Sequence, residues 1–305
     1  MKDHTHFITK DNLIFTTRGD HHEKGYIRAA AIYFPNKNGE KFIKRIKFEK
    51  EIDEFGDGYL KAMKPEYVRN DDEGNYILVP KKDILKVFEP YKALPKQKIK
   101  IKRKFYGLLR ILRKIVPKKD IGLIGSYLIG FANKSSDIDI IVRGKENMKK
   151  IKKNMPLILD NLNSKNFLNE KKKIKSIIKY ENKYNKENND FSEMIDRRWP
   201  TISNNNYLTK IRFSYDKKEC PEIRFNKFKE EIKIEGIVID DIGTNFMPRS
   251  FIIKSKNKKF IIYTYFWDFT YCVKKGDFIT VKGSLFDRNK ILICKQKEHG
   301  IKFRN

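Results

Sequence analysis

Ile121-Gly122-Leu123-Ile124-Gly125-Ser126-Tyr127-Leu128-Ile129-Gly130-Phe131-Ala132-Asn133-Lys134-Ser135-Ser136-Asp137-Ile138-Asp139-Ile140-Ile141-Val142 consists of two apolar runs joined by a glycine-serine step, a short apolar turn of helix and a polar loop. Ile121 to Ile124 reads as a buried strand, and Gly125-Ser126 as the start of a helix. Backbone N–H groups at such a start attract phosphate, and a glycine lets the ligand approach closely. The Ser126 hydroxyl adds a donor. Asp137 and Asp139 open a second strand, and two residues apart on a strand they point to the same face. Two carboxylates on one face beside a phosphate cradle form a site for Mg²⁺ bridged by triphosphate oxygens. Gly-Ser and Asp-x-Asp are each common alone, but their combination with strand, helix, turn and strand in this order is much rarer.

At these residues the chain resembles the DNA polymerase beta-like nucleotidyltransferase superfamily, whose hallmark is Gly-Ser followed by Asp-x-Asp or Asp-x-Glu. The resemblance covers Lys104 to Val142 and extends toward Tyr215. It implies transfer of a nucleoside monophosphate from an NTP with release of pyrophosphate. Asp137 and Asp139 would be the catalytic metal ligands, holding Mg²⁺, and Gly125 and Ser126 would bind the triphosphate. The family adds a third carboxylate from a later strand, near the attacking hydroxyl. The natural later strand here, Thr209 to Tyr215, has no acid in its interior. Asp216, Glu222, Asp190, Glu193 and Asp196 are the candidates. Members that lost this acid bind without catalysing.

Before this segment, Lys104 to Val116 places apolar residues at helical spacing with Arg110, Arg113 and Lys114 opposite, and Pro117 ends it. After it, Glu146 to Asn163 and Glu170 to Tyr184 read as Lys-rich helices, and Glu181 to Asn189 is polar enough for a mobile loop. Near the N-terminus, Tyr26 to Phe34 is a strand ended by the turn Pro35 to Gly39, and Lys41 to Phe48 reads as its hairpin partner. Asn75 to Pro80 is a short strand leading into a helix over Lys81 to Phe88. His4, His6, His21 and His22 read as solvated rather than as metal ligands.

From Ile232 to Phe303, about five short strands with turns between them suit a small closed barrel. Lys275-Gly276-Asp277 followed by Phe278 to Gly283 looks like the turn and strand of OB-fold barrels. Tyr263, Tyr265, Phe266, Trp267 and Phe269 lie just before it. Such barrels stack single-stranded bases on aromatics along a basic groove, although about half of these rings belong to a core in a barrel this small.

The chain has 305 residues, 39% hydrophobic and 13% aromatic, which excludes a fully disordered chain. Lys and Arg number 68 against 39 Asp and Glu, a net charge of +29. That excess attracts polyanions, although a general Lys/Asn/Ile bias accounts for part of it. Three widely spaced cysteines exclude a disulfide scaffold and a structural zinc site. No signal-like apolar core and no run of roughly 20 apolar residues is present. A cytoplasmic protein with no membrane partner is expected.

The expected fold is therefore α+β: a β-rich N-terminal domain (1–98), a nucleotidyltransferase domain of mixed sheet and helices (99–220), and an OB-like barrel (221–305). The expected function is Mg²⁺-dependent transfer of an NMP from an NTP to an acceptor. RNA or single-stranded DNA is the favoured acceptor, with Arg197, Arg198, Lys274 and Lys275 as phosphate contacts; a protein hydroxyl is also open. The alternative is an inactive nucleotidyltransferase-fold protein that binds nucleic acid.

Overall fold

The computed structural model of the chain describes residues 1–92, 103–133, 136–162, 165–166, 170–196, 202–204 and 207–304. In chain order the first elements are β1 (His6–Thr9), β2 (Ile14–Thr17), β3 (Tyr26–Pro35), β4 (Lys41–Ile43), β5 (Ile46–Asp53), α1 (Tyr59–Met63), β6 (Val68–Asp71), β7 (Gly74–Pro80) and β8 (Ile84–Phe88). The middle contains α2 (Arg103–Ile115), β9 (Ile121–Ile124), α3 (Ser126–Ile129), β10 (Ile138–Arg143), α4 (Lys145–Asn161), β11 (Lys165–Asn166), α5 (Glu170–Lys183), α6 (Phe191–Asp196), β12 (Ile202–Asn204) and β13 (Tyr207–Ser214). The last strands are β14 (Phe228–Asp240), β15 (Arg249–Ser255), β16 (Lys258–Thr264), β17 (Phe278–Phe286), β18 (Lys290–Ile293) and β19 (Gly300–Phe303). The architecture is α+β, with a β-rich N-terminal sheet, a central mixed sheet with helices, and a C-terminal barrel.

By contacts the chain forms two compact units, each built from separated segments. The first comprises Met1–Asp53, Val79–Phe167 and Pro200–Cys220; the second comprises Glu54–Leu78, Leu168–Trp199 and Pro221–Asn305.

The first unit holds two sheets. One runs β4-β5-β3-β2-β1-β8 and is antiparallel throughout. Its centre is β3, whose run from Ala29 to Phe34 is buried. The other sheet runs β11-β12-β13-β10-β9, with β10 parallel to β13 and antiparallel to β9. β9, at the edge of this sheet, and the Ile140–Val142 segment of β10 beside it are wholly buried. α2 packs against α4, with Leu108, Leu109 and Leu112 buried on the face opposite Arg110 and Arg113.

Two local expectations fail within this unit. Lys81 to Phe88 is a short 3-10 turn followed by β8, not a helix. Pro80 and Pro90 leave little room for one, and the segment instead adds an edge strand, with Phe7 opposite Val87. The partner of β3 begins at Ile46 rather than Lys41, because Lys44 takes a positive φ of 53° and turns the chain between β4 and β5. The three predicted helices around the central strands do form, as α2, α4 and α5.

In the second unit, β14 pairs with β15, β15 with β16, β16 with β18 in parallel, β18 with β17, and β17 with β14 again. The barrel is therefore closed with five strands, in OB-like order, and β19 adds to β17. Its core joins Val238, Phe251, Ile262, Ile279 and Ile291 to Tyr184, Phe191 and Met194 from the helical segment. The stretch expected to be a mobile loop is thus fixed. The Asn189 amide donates to the carbonyls of Asn185 and His299 and accepts from the Ile301 N–H.

Candidate active site

β9 ends at Ile124, and the chain turns at Gly125 with φ +67° before entering α3. The Leu128 N–H returns to the Gly125 carbonyl, and the Phe131 N–H to that of Ser126, which closes the one-turn helix. Asp139 lies across from Ile124 in the antiparallel register. A Cβ at position 125 would sit 2.8 Å from Asp139 Oδ2, so the glycine is required both by φ and by this close approach. Asp137 stands immediately before β10 and shares the Asp139 face, while Ile138 and Ile140 face the core on the other side. The structure thus brings Gly125 and both aspartates together, with Ser126 at the first position of α3.

The N-terminal sheet lends further residues to this site. The Gly125 N–H donates to His6 Nε2 at 3.2 Å. Burial holds the His6 imidazole near pKa 4, so at neutral pH it is the uncharged acceptor that this bond needs. Tyr33 meets Phe131 edge-on at 4.9 Å, and Phe48 lies 5.4 Å from the same ring. Burial, and then the nearby Asp139 charge, push the Tyr33 phenol up to about 12.

β13 lies beside β10 in parallel, with Lys210 paired to Asp139 and Arg212 to Ile141. Lys210 Nζ is 3.4 Å from Asp137 Oδ2, a partly exposed pair. Asp139 keeps a solvent-facing edge but is densely surrounded by protein, and this burial raises its pKa. Lys210, Arg212 and Lys50 pull it back, and the Asp137 charge adds to the rise. Hence the neighbouring strand presents cations where the family would place an acid.

Of the candidate third acids, only Asp216 belongs to the unit that holds the two aspartates. Asp216 follows the far end of β13, six residues beyond Lys210 along the chain and roughly 20 Å at strand spacing. Asp190, Glu193, Asp196 and Glu222 lie in the second unit. There Asp190 accepts from the Phe303 N–H, Asp196 pairs with Lys173, and Glu222 pairs with Arg224. Among the described residues no group of three or more His, Cys, Asp and Glu side chains could hold a metal. Asp137 and Asp139 are two carboxylates that could hold a divalent cation together with ligand oxygens, and among the described residues no third acid groups with them.

The remaining sequence candidates divide. His4 and His6 are buried and His22 is bonded at both ring nitrogens, so these are structural rather than solvated. Tyr263, Phe266 and Phe269 belong to cores, whereas Trp267 and Tyr265 keep part of their surface exposed. Lys274 and Lys275 are exposed, and Arg197 and Arg198 lie outside the described residues. The β15–β16 turn carries exposed Lys254, Lys256, Lys258 and Lys259. None of the three cysteines forms a disulfide. No helix among the described residues is long and apolar enough to cross a membrane.

Sequence reasoning missed His6, Tyr33, Lys50 and Lys210. Only Lys210 had a local signal: Lys-x-Arg alternation on the strand where an acid was sought.

The family model for the nucleotidyltransferase domain matches residues 105–239, from α2 through the site to the first barrel strand. No curated protein and no solved structure matches the chain. The Gly-Ser turn packed on Asp-x-Asp lies inside the matched span, so residues 105–239 are similar to nucleotidyltransferase domains, consistent with the polymerase beta-like superfamily, and an OB-like barrel follows.

Proposed function

We propose that the protein transfers a nucleoside monophosphate from an NTP to a hydroxyl of RNA or single-stranded DNA, with release of pyrophosphate. The observation that carries this reading is the approach of Gly125 to Asp139, which sets the phosphate turn against the metal-binding carboxylates. Ser126 donates its hydroxyl to the triphosphate. Asp137 and Asp139 would hold Mg²⁺, which would supply positive charge against the triphosphate and the leaving pyrophosphate. Lys210 and Arg212 add fixed positive charge on the same face. The net charge of +29 and the exposed lysines of the β15–β16 turn favour a polyanionic acceptor.

A second reading is favoured by one observation, the lysine in place of the third acid. Under it the site binds a nucleotide and the protein binds nucleic acid without transfer. Incubation with α-labelled NTPs, Mg²⁺ and bulk RNA or single-stranded DNA separates the two. Label that becomes acid-precipitable with the nucleic acid supports transfer. Saturable NTP binding with no label transferred to any acceptor supports the second reading.

A further inference from the structure

Lys210 is paired with Asp139 in the parallel register and reaches Asp137 with its ammonium at 3.4 Å. It stands on the strand from which a third metal-binding acid would come. We infer that Lys210 is a built-in cation of the carboxylate site, which keeps a divalent ion out until a nucleoside triphosphate brings one in. This rests on the reading of Asp137 and Asp139 as metal ligands.

The reasoning is electrostatic. Two carboxylates on one face would attract a free divalent cation, but here a tethered ammonium already neutralises one of them. The charges of Arg212 and Lys50 act on Asp139 as well. A divalent ion arriving alone must displace Lys210 from Asp137 and sit beside its charge. An ion arriving on a triphosphate brings anionic oxygens that the displaced ammonium can take up. Lys210 thereby links metal occupancy to nucleotide occupancy, and the same residue excludes the second ion that a third carboxylate would hold. Its role is positioning and selection, since it acts through the metal site.

The test titrates Mn²⁺ into the full chain, with free Mn²⁺ read by electron paramagnetic resonance, with and without a non-hydrolysable ATP analogue. The wild type is compared with Lys210→Met, Lys210→Asp, Asp139→Asn and Lys210→Asp/Asp139→Asn, each checked for a native melting transition. We expect weak nucleotide-free binding in the wild type. Lys210→Met should tighten it about five- to tenfold, the scale of one partly exposed charge acting on a divalent ion. Lys210→Asp should tighten it further, and Asp139→Asn should remove that gain. The analogue should tighten Mn²⁺ in the wild type and much less in Lys210→Met. If Mn²⁺ binds equally to the wild type and both Lys210 single variants, while Asp139→Asn weakens it, the inference falls and the carboxylate reading stands. If no variant binds Mn²⁺ with or without the analogue, both fall. Should Lys210→Asp not fold, the Lys210→Met comparison decides alone.

Discussion

Gly125 combines a positive φ with a neighbour that leaves no space for a side chain. Gly125→Ala therefore strains the backbone, at a cost of about 1–3 kcal/mol, and pushes Asp139 aside. The expected outcome is a lower melting temperature and loss of NTP binding in a chain that still folds, checked by thermal melts and equilibrium binding. His6 makes a pH prediction. Its pKa is near 4 when folded and 6.5 as a free side chain, so between those values the unfolded chain holds the proton and the folded chain does not. Its contribution is full above about pH 6.5 and is lost as pH falls toward 4, to a total of about 3 kcal/mol. His22 shifts in the same direction. His6→Gln keeps an acceptor for Gly125 without titrating, so its stability should fall less steeply between pH 6.5 and 4 than the wild type, measured by urea unfolding across that range. At this scale the motif was legible because Gly125, Ser126, Asp137 and Asp139 are neighbours in sequence. The His6 bond was not, because it joins residues 119 apart with no local pattern to mark it.

Among the elements, α5 shows how a Lys-rich helix becomes part of a core. Lys183 at its end bonds Glu54 and Asp268, both at 2.8 Å, and lies over the Phe55 and Tyr184 rings. Its pKa is raised by these two acids against the opposing effect of burial. Lys183→Met leaves the buried Glu54 and the partly buried Asp268 carboxylates without their cation and should destabilise the second unit by about 3 kcal/mol. Chemical denaturation of Lys183→Met and of Lys183→Met/Glu54→Gln tests this, with the double variant expected to recover part of the loss. Helices α2, α4 and α5 were legible from apolar spacing, since amphipathic period survives in any context. β8 was misread because an edge strand exposed on both sides has no alternation to show. Leu85 and Val87 are exposed there, so the apolar run mimicked a helix face.

For the whole molecule, the charge excess predicts binding to single-stranded nucleic acid that weakens with salt, log K falling with log salt at about 0.7 per phosphate contact. Replacing Lys256, Lys258 and Lys259 by Glu should flatten that slope, because these exposed lysines crowd one barrel turn. Trp267→Ala should instead weaken binding by about 1–3 kcal/mol and leave the slope unchanged, if the exposed part of the ring stacks a base. A salt titration of all three proteins reads both effects, and equal affinity in a folded Trp267→Ala excludes stacking there. The barrel was legible because its strands follow one another along the chain. The makeup of the first unit was not, since His6 bonds the Gly-Ser turn and Tyr33 packs on Phe131 from strands far earlier in the sequence.

If Asp137 and Asp139 support nucleotidyl transfer, Asp139→Asn, which removes charge and little else, abolishes it. Wild type and Asp139→Asn are incubated with α-labelled NTP, Mg²⁺ and RNA, and the label joined to RNA is counted. Steady incorporation is expected from the wild type and background incorporation from a folded Asp139→Asn. Incorporation at equal rates by both proteins, or none by the wild type, would contradict that role of the two aspartates.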